Sequence, residues 1–248
     1  MPQNVYDNDD FFLRYSHLER SMRGLVGAPE WPTLRALLPA MAGLRVLDLG
    51  CGYGWFSRWA LAAGARSVVG IDLSEKMLAR ARAETTTGRV EYIRADLDEV
   101  ELGAARFELA FSSLTLHYVK DLRALLGKIH RALSADGHFV FSAEHPILLA
   151  PSVQEWQPLG ANSQPVWPLD RYLEEGPRTV DWLGHGVLKE HRTVATYLNT
   201  LLRAGFLLRR VEEWGPSAEQ VREHPDWAVD RNRPYFLLVS AQRGDAAP

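Results

Sequence analysis

Residues 46–54 read Val46-Leu47-Asp48-Leu49-Gly50-Cys51-Gly52-Tyr53-Gly54, and Gly70-Ile71-Asp72 follows one helix length later. Residues 45–49 are a short apolar run that fits a buried parallel strand. Gly50, Gly52 and Gly54 then break it. Glycine admits left-handed backbone angles and lets a ligand come close to the main chain. Residues 55–63 read as the helix that follows and residues 67–71 as a second strand, with Asp72 at its carboxyl end. A strand, a glycine loop, a helix and a second strand ending in an acid predict an α/β fold.

Two details separate this loop from its nearest alternatives. Its spacing is Gly-x-Gly-x-Gly, whereas the pyrophosphate-binding fingerprint is Gly-x-Gly-x-x-Gly. Asp48 also precedes the first glycine, where a carboxylate repels a pyrophosphate but suits a cationic amine. Asp72 lies about twenty residues past the loop, where an acid meets ribose hydroxyls in folds of this kind. On Asp48, Gly50, Gly52, Gly54 and Asp72 the chain resembles the class I S-adenosylmethionine-dependent methyltransferases. Their first motif looks like Asp-x-Gly-x-Gly-x-Gly. The general look is that of the broad bacterial methyltransferase type 11 group. The competing reading of residues 50–54 is a tight strand-to-helix turn, which needs neither three glycines nor the flanking acid.

Composition sets the frame. A chain of 248 residues buries a full core as one domain. Its 46% hydrophobic and 24% charged content is that of a globular protein. A net charge of −3 gives no pull toward nucleic acid or an anionic membrane. Cys51 is the single cysteine, so neither a disulfide framework nor a zinc spacing exists, and no metal is expected. The polar start is no signal peptide, and no apolar run reaches the roughly 18 residues of a membrane span. A cytoplasmic enzyme is expected.

Along the chain, residues 1–10 are expected to begin without order, and residues 11–22 read as a helix with Phe12, Tyr15, Leu18 and Met22 on one face. Pro32 suits the first turn of a helix running toward Met41. Ser74 caps a helix over residues 75–84. Residues 89–94 and 107–112 read as the third and fourth strands. Residues 121–133 form an amphipathic helix, with an exit turn at 135–137 and a fifth strand over 137–143. Alternation then stops. Residues 148–190 hold Pro151, Pro158, Pro165, Pro168 and Pro177 with Trp156, Trp167 and Trp182, and read as a lid over the strand ends. Residues 193–204 are a helix, and 206–213 and 234–242 the last two strands. The expectation is a Rossmann-like, seven-stranded, mostly parallel sheet with helices on both faces and a lid inserted between the fifth and sixth strands. The chain divides as one domain into an amino-terminal segment 1–43, a cofactor-binding core 44–147, a lid 148–190 and a carboxyl-terminal part 191–248.

The resemblance implies a site beyond the carboxyl ends of the strands, where open α/β sheets bind ligands. It implies Asp72 on the ribose and Asp96, with the Leu97 N–H, at the adenine. Leu73 and Met77 pack on the ring or belong to the helix core. Gly50, Cys51 and Gly52 form the loop, Asp48 faces the amino group, and Ser112 ends the strand that passes the methionine part. Tyr15 faces the sulfonium by cation–π attraction and Arg20 meets the carboxylate; Tyr6 is a further candidate. His117 and His145 are the candidate general bases, each with a structural alternative as a helix start or a turn. Arg192 is expected to pair with an acid of the lid. Ser112-Ser113-Leu114-Thr115 stands where DNA amino-methyltransferases have an Asn-Pro-Pro-Tyr-like motif, which argues against DNA methylation.

The implied function is methyl transfer from S-adenosylmethionine to an O or N atom of a small-molecule acceptor, with S-adenosylhomocysteine as product. Acids outnumber Lys and Arg in the lid, which disfavours a phosphorylated acceptor. Two other classes stay open: a nicotinamide-dependent oxidoreductase, and a protein that binds S-adenosylmethionine without catalysis. Acceptor identity and oligomeric state are not legible in the sequence.

Overall fold

A computed structural model describes residues 3–158 and 164–244. Seven strands form one sheet: β1 (Arg45–Leu49), β2 (Ser67–Asp72), β3 (Val90–Arg94), β4 (Phe107–Ser113), β5 (Leu133–Glu144), β8 (Phe206–Trp214) and β9 (Phe236–Arg243). Their order is β3-β2-β1-β4-β5-β9-β8. All neighbours pair in parallel except β9, which runs antiparallel to β5 and β8. The expected Rossmann-like, mostly parallel sheet is present. Its order reverses at β1, whose neighbours are β2 and β4, so a crevice opens above the carboxyl ends of β1 and β4.

Strand periodicity distributes the core between two faces. Val46, Val68, Leu109, Phe111 and Val140 pack against α3 (Trp31–Arg35) and α4 (Trp55–Ala62), and the rings of Phe56 and Phe111 stack at 3.6 Å. Their neighbours in sequence, Leu47, Leu49, Ala110, Phe139 and Phe141, face α6 (Leu122–Ala132) and α8 (Val194–Arg203) on the other side. Alternation puts successive side chains on opposite faces, so strands covered on both sides read as continuous apolar runs. α5 (Glu75–Glu84) begins where expected, with Ser74 Oγ accepting the Met77 N–H. No described helix is long and apolar enough to cross a membrane.

Several boundaries differ from expectation. The amino-terminal helix is two pieces, α1 (Asp9–Ser16) and α2 (Glu19–Met22), because Leu18 is extended and caps the second. Phe11 is the buried anchor and Met22 is half exposed, so the apolar face is rotated from the expected one. Order begins earlier than expected, with a 3-10 turn at Val5–Asp7. α3 stops at Arg35, well short of Met41; Pro39 lies just ahead and disfavours helical angles at Leu38. β5 starts at Leu133, and the turn expected at 135–137 is a register shift within it, with Asp136 at φ 60°. The expected lid segment contains its own hairpin, β6 (Gly176–Trp182) and β7 (His185–His191), which alternation in a Pro- and Trp-rich stretch did not reveal. Short helices α7 (Pro146–Leu149) and α9 (Ala218–Glu223) complete the chain.

Candidate functional site

A cavity of about 730 Å³ lies above the carboxyl ends of β1, β2 and β4. Its floor is the glycine loop. Gly50 and Gly52 have φ of 73° and 51°, angles that β-carbons resist. A β-carbon at Gly50 would stand 2.1 Å from Thr115 Oγ1, so only glycine lets the loop lie against the β4 exit. At Gly52 a β-carbon would meet nothing within 4 Å, so the backbone there faces open space.

Asp72 ends β2 beside this loop. Its Oδ2 accepts the Gly52 N–H at 2.8 Å and its Oδ1 the Ser74 N–H at 2.9 Å. Burial pushes its pKa up, against the pull of those backbone hydrogen bonds. Each oxygen keeps acceptor capacity for a further hydroxyl. Leu73 and Met77 form an apolar wall beside it, and Asp96 and Leu97 line a further part of the cavity. Asp96 Oδ1 accepts the Asp98 N–H at 3.0 Å, which holds the turn after β3.

The amino-terminal segment closes the cavity from above. Asn4, Val5, Tyr6 and Tyr15 are in its wall. Asp7 fixes the segment by accepting from Ser74 Oγ at 2.5 Å and from the Lys76 N–H at 3.1 Å. Burial raises the Asp7 pKa, but these donors at the start of α5 outweigh it and hold the carboxyl below its ordinary value. The Tyr6 hydroxyl lies 3.1 Å from that of Tyr118, and the Tyr6 ring packs edge-on against Tyr15 and Trp182.

Nine of the residues named from sequence therefore meet in one cavity: Tyr6, Tyr15, Gly50, Gly52, Asp72, Leu73, Met77, Asp96 and Leu97. Four others lie outside its wall. Asp48 is buried under the loop and accepts from Ser57 Oγ at 2.6 Å, and burial pushes its pKa up to about 7. Cys51 is buried, its sulfur turned toward Gly70. Ser112 is buried and donates to the Leu49 carbonyl at 3.0 Å, bracing β4 on β1. Leu114 and Thr115 take its place in the wall, because the chain turns through Leu114 at φ 52° just after the strand. Arg20 pairs with buried Glu30 at 3.0 Å.

Neither histidine lines the cavity. His145 caps α7 by accepting the Ile147 N–H on Nδ1, and its Nε2 lies 2.8 Å from Glu213 Oε1. Both ring nitrogens are thus engaged. His117 is fully buried, and burial lowers its pKa to about 4. Its Nδ1 accepts the Glu144 N–H at 3.4 Å, so the proton of the neutral ring sits on Nε2. Arg192 pairs with no acid among the described residues. It donates instead to the carbonyls of Leu116, Val119 and Lys120, fastening the turn that carries Tyr118.

Sequence reading passed over Tyr118, Glu144 and Lys189. Lys189 Nζ donates to Glu144 Oε1 at 2.5 Å and lies 5.0 Å from the Trp182 ring centroid. Val187, Lys189 and His191 are the buried alternate positions of β7. A lysine at an inward position of a strand is a signal, but only once the strand itself is recognised.

A family model described as a methyltransferase domain matches residues 47–141. A solved S-adenosylmethionine-dependent methyltransferase from Mesorhizobium loti is 55% identical, with a TM-score of 0.85, covering 89% of this chain and all of that one. The chain belongs to the class I S-adenosylmethionine-dependent methyltransferases. An uncharacterised Haemophilus influenzae protein is 35% identical over 247 residues, 97% of each chain. The malonyl-[acyl-carrier protein] O-methyltransferase of Pectobacterium atrosepticum is 36% identical over 126 residues, 51% of this chain and 49% of that one. That match spans only about half of each protein.

S-adenosylmethionine is the cofactor of this methyltransferase, and the cavity fits it. Asp72 presents carboxylate oxygens suited to sugar hydroxyls, and Leu73, Met77 and Leu97 present apolar surface suited to a flat base. Asp72, Asp96, Asp98 and Glu99 line the same space, which disfavours a pyrophosphate. The bound cofactor supplies a methyl group on a positively charged sulfur, so the protein's task is alignment and exclusion of water.

Proposed function

We propose that this methyltransferase transfers a methyl group to an O or N atom of a small-molecule acceptor, releasing S-adenosylhomocysteine. One observation carries the reading. A single cavity is floored by Gly50, Gly52 and Asp72 and roofed by Tyr6, Tyr15, Tyr118 and the β7 residues Val187 and Leu188. Cofactor-type residues and an aromatic enclosure share one volume, and such an enclosure suits a small, partly apolar acceptor. We assign Asp72 to the ribose, the loop to the amino-acid part and Asp96 with Leu97 to the base. Tyr6 and Tyr15 face the transferring end. The same enclosure argues for a catalyst over a passive binder and, with the acidic wall, over a nicotinamide enzyme.

The malonyl-[acyl-carrier protein] relatives suggest a carboxylate acceptor. Their half-length match supports the shared cofactor chemistry, and the acidic wall, which holds Lys120 as its one basic residue among the described residues, disfavours an anion. The test is calorimetric titration of S-adenosylmethionine and S-adenosylhomocysteine into wild type and Asp72→Ala. Micromolar binding that the variant weakens supports the reading. Absence of binding to wild type overturns it, and NAD is then the ligand to titrate.

A further inference from the structure

Behind the roof of the cavity lies a set of charged groups that the cofactor reading does not use. Glu144 ends β5, the neighbour of β4 at the crevice. Its Oε1 accepts from Lys189 Nζ at 2.5 Å, while its Oε2 has no hydrogen bond among the described residues. The Glu144 side chain keeps 20% of its surface open, whereas that of Lys189 keeps 4%. A carboxylate this deep in the fold, with one oxygen open, is placed to meet a donor. The His117 ring lies on its other side, Nε2 at 3.9 Å from Oε1.

Aromatic faces enclose the same point. Lys189 Nζ lies 5.0 Å from the Trp182 ring centroid and 5.9 Å from that of Tyr118. Tyr118 and its hydroxyl partner Tyr6 both belong to the cavity wall. An ammonium group is therefore already accommodated here, by a carboxylate and two π faces, the combination that recognises cationic nitrogen. The cavity wall repeats the preference, with Asp98, Glu99, Asp121 and Glu190 against Lys120.

Resting on the cofactor reading given above, we propose that the acceptor is a primary or secondary amine, recognised by the free oxygen of Glu144 against the Tyr118 and Trp182 rings. Glu144 takes the proton that the ammonium nitrogen must lose. The nitrogen lone pair then forms the bond to the methyl carbon as the carbon–sulfur bond breaks and its electron pair passes to sulfur. The products are the N-methylated ammonium ion and S-adenosylhomocysteine, and the Glu144 proton leaves to water. Lys189 is a positioning residue whose ion pair keeps the carboxylate ionised and leaves Oε2 free. His117 is not the base, since its one acceptor nitrogen is engaged by the Glu144 N–H.

The experiment is calorimetric titration of three probes, benzylamine, phenol and benzoate, into the full chain saturated with S-adenosylhomocysteine. Benzylamine is expected to bind best, and Glu144→Gln to weaken it about tenfold or more while S-adenosylhomocysteine affinity changes less than about twofold. Trp182→Leu, which leaves the carboxylate in place, is expected to weaken benzylamine as well; it keeps the test decisive if Glu144→Gln does not fold. Mass spectrometry of wild type with S-adenosylmethionine and benzylamine is expected to show N-methylbenzylamine. Preferential binding of phenol would overturn the proposal in favour of a hydroxyl acceptor. Benzoate binding that Lys189→Met abolishes would overturn it in favour of an acid. Benzylamine affinity unchanged in both Glu144→Gln and Trp182→Leu, or no benzylamine binding at all, would also overturn it. Failure of S-adenosylhomocysteine itself to bind would instead remove the cofactor reading beneath it.

Discussion

The Gly52 N–H donates to Asp72 Oδ2 at 2.8 Å, so one carboxylate joins the loop after β1 to the end of β2. The other oxygen holds the start of α5 through the Ser74 N–H. Asp72 is thus both a scaffold and part of the cavity wall. Asp72→Ala is expected to lower affinity for S-adenosylmethionine by about 1.5–3 kcal/mol, the scale for hydrogen bonds to a charged group. Asp72→Asn should recover little of it, because its amide nitrogen would oppose one of the two backbone donors. Calorimetry on both variants checks this; full recovery in the amide would refute the charge requirement.

Gly50 and Gly52 should separate stability from binding. Gly50→Ala places a methyl group 2.1 Å from Thr115 Oγ1 at a left-handed backbone position. It is expected to cost about 1–3 kcal/mol of stability in urea denaturation as well as cofactor affinity. Gly52→Ala meets open space, so its stability loss should stay near the ~1 kcal/mol of a left-handed alanine. Its methyl group nevertheless intrudes on the cavity, and S-adenosylhomocysteine binding is expected to fall. Equal stability losses in the two variants would contradict this geometry.

Asp48 carries a pH signature. Burial raises its pKa in the folded protein to about 7 from an ordinary value of 3.8. The folded state then binds a proton more tightly than the unfolded chain. The stability this contributes is complete below the unfolded value and is lost as pH rises toward 7. The stability of wild type minus that of Asp48→Asn should therefore fall by about 2–3 kcal/mol between pH 5 and pH 8. Denaturant titrations of both proteins at the two pH values measure it, and a difference that does not change with pH would refute it.

Arg192 ties the end of the β7 strand to the turn bearing Tyr118. Its guanidinium is buried and bonds to three backbone carbonyls. Arg192→Met should destabilise the fold by about 2–4 kcal/mol, since buried carbonyls lose charged donors. Hydrogen exchange should speed up first around residues 116–120. Arg192→Lys should rescue only part of this, because one ammonium group lacks the planar spread that reaches three acceptors.

His117 gives an acid-side counterpart. Its folded pKa of about 4 lies below the ordinary 6.5. The stability it contributes is present above 6.5 and is lost as pH falls toward 4. An NMR titration is expected to show the His117 ring neutral at pH 5.5, where a free imidazole is mostly charged. A ring protonated at that pH would refute the burial argument.

The sheet was legible because its signals are local. Residues 45–49, 67–72 and 107–113 are apolar runs bounded by turn residues, and Asp72 announces itself by distance from the glycine loop. Ser74 caps its helix as its position suggested, whereas Asp121, read as the first residue of its helix, is that helix's cap. The hairpin of residues 176–191 was not legible, because its strands have one buried face and neighbours rich in proline. Ser112 was misplaced by two positions. A single left-handed residue, Leu114, turns the chain so that Leu114 and Thr115 reach the cavity wall.

By itself, the sequence determined the α/β class, the glycine loop, the distal acid and the kinship they carry, since each rests on backbone preferences and spacings within one strand–helix–strand unit. Only the tertiary structure decided which side chains share the cavity. It turned Asp48, Cys51 and Ser112 into buried braces and engaged both histidines in hydrogen bonds away from the cavity wall. It also brought Glu144, Lys189 and Trp182 together from two segments some forty residues apart in the chain. The physical reason is that burial and hydrogen-bond partnership are properties of a packed neighbourhood, and residue type and spacing along the chain do not specify it.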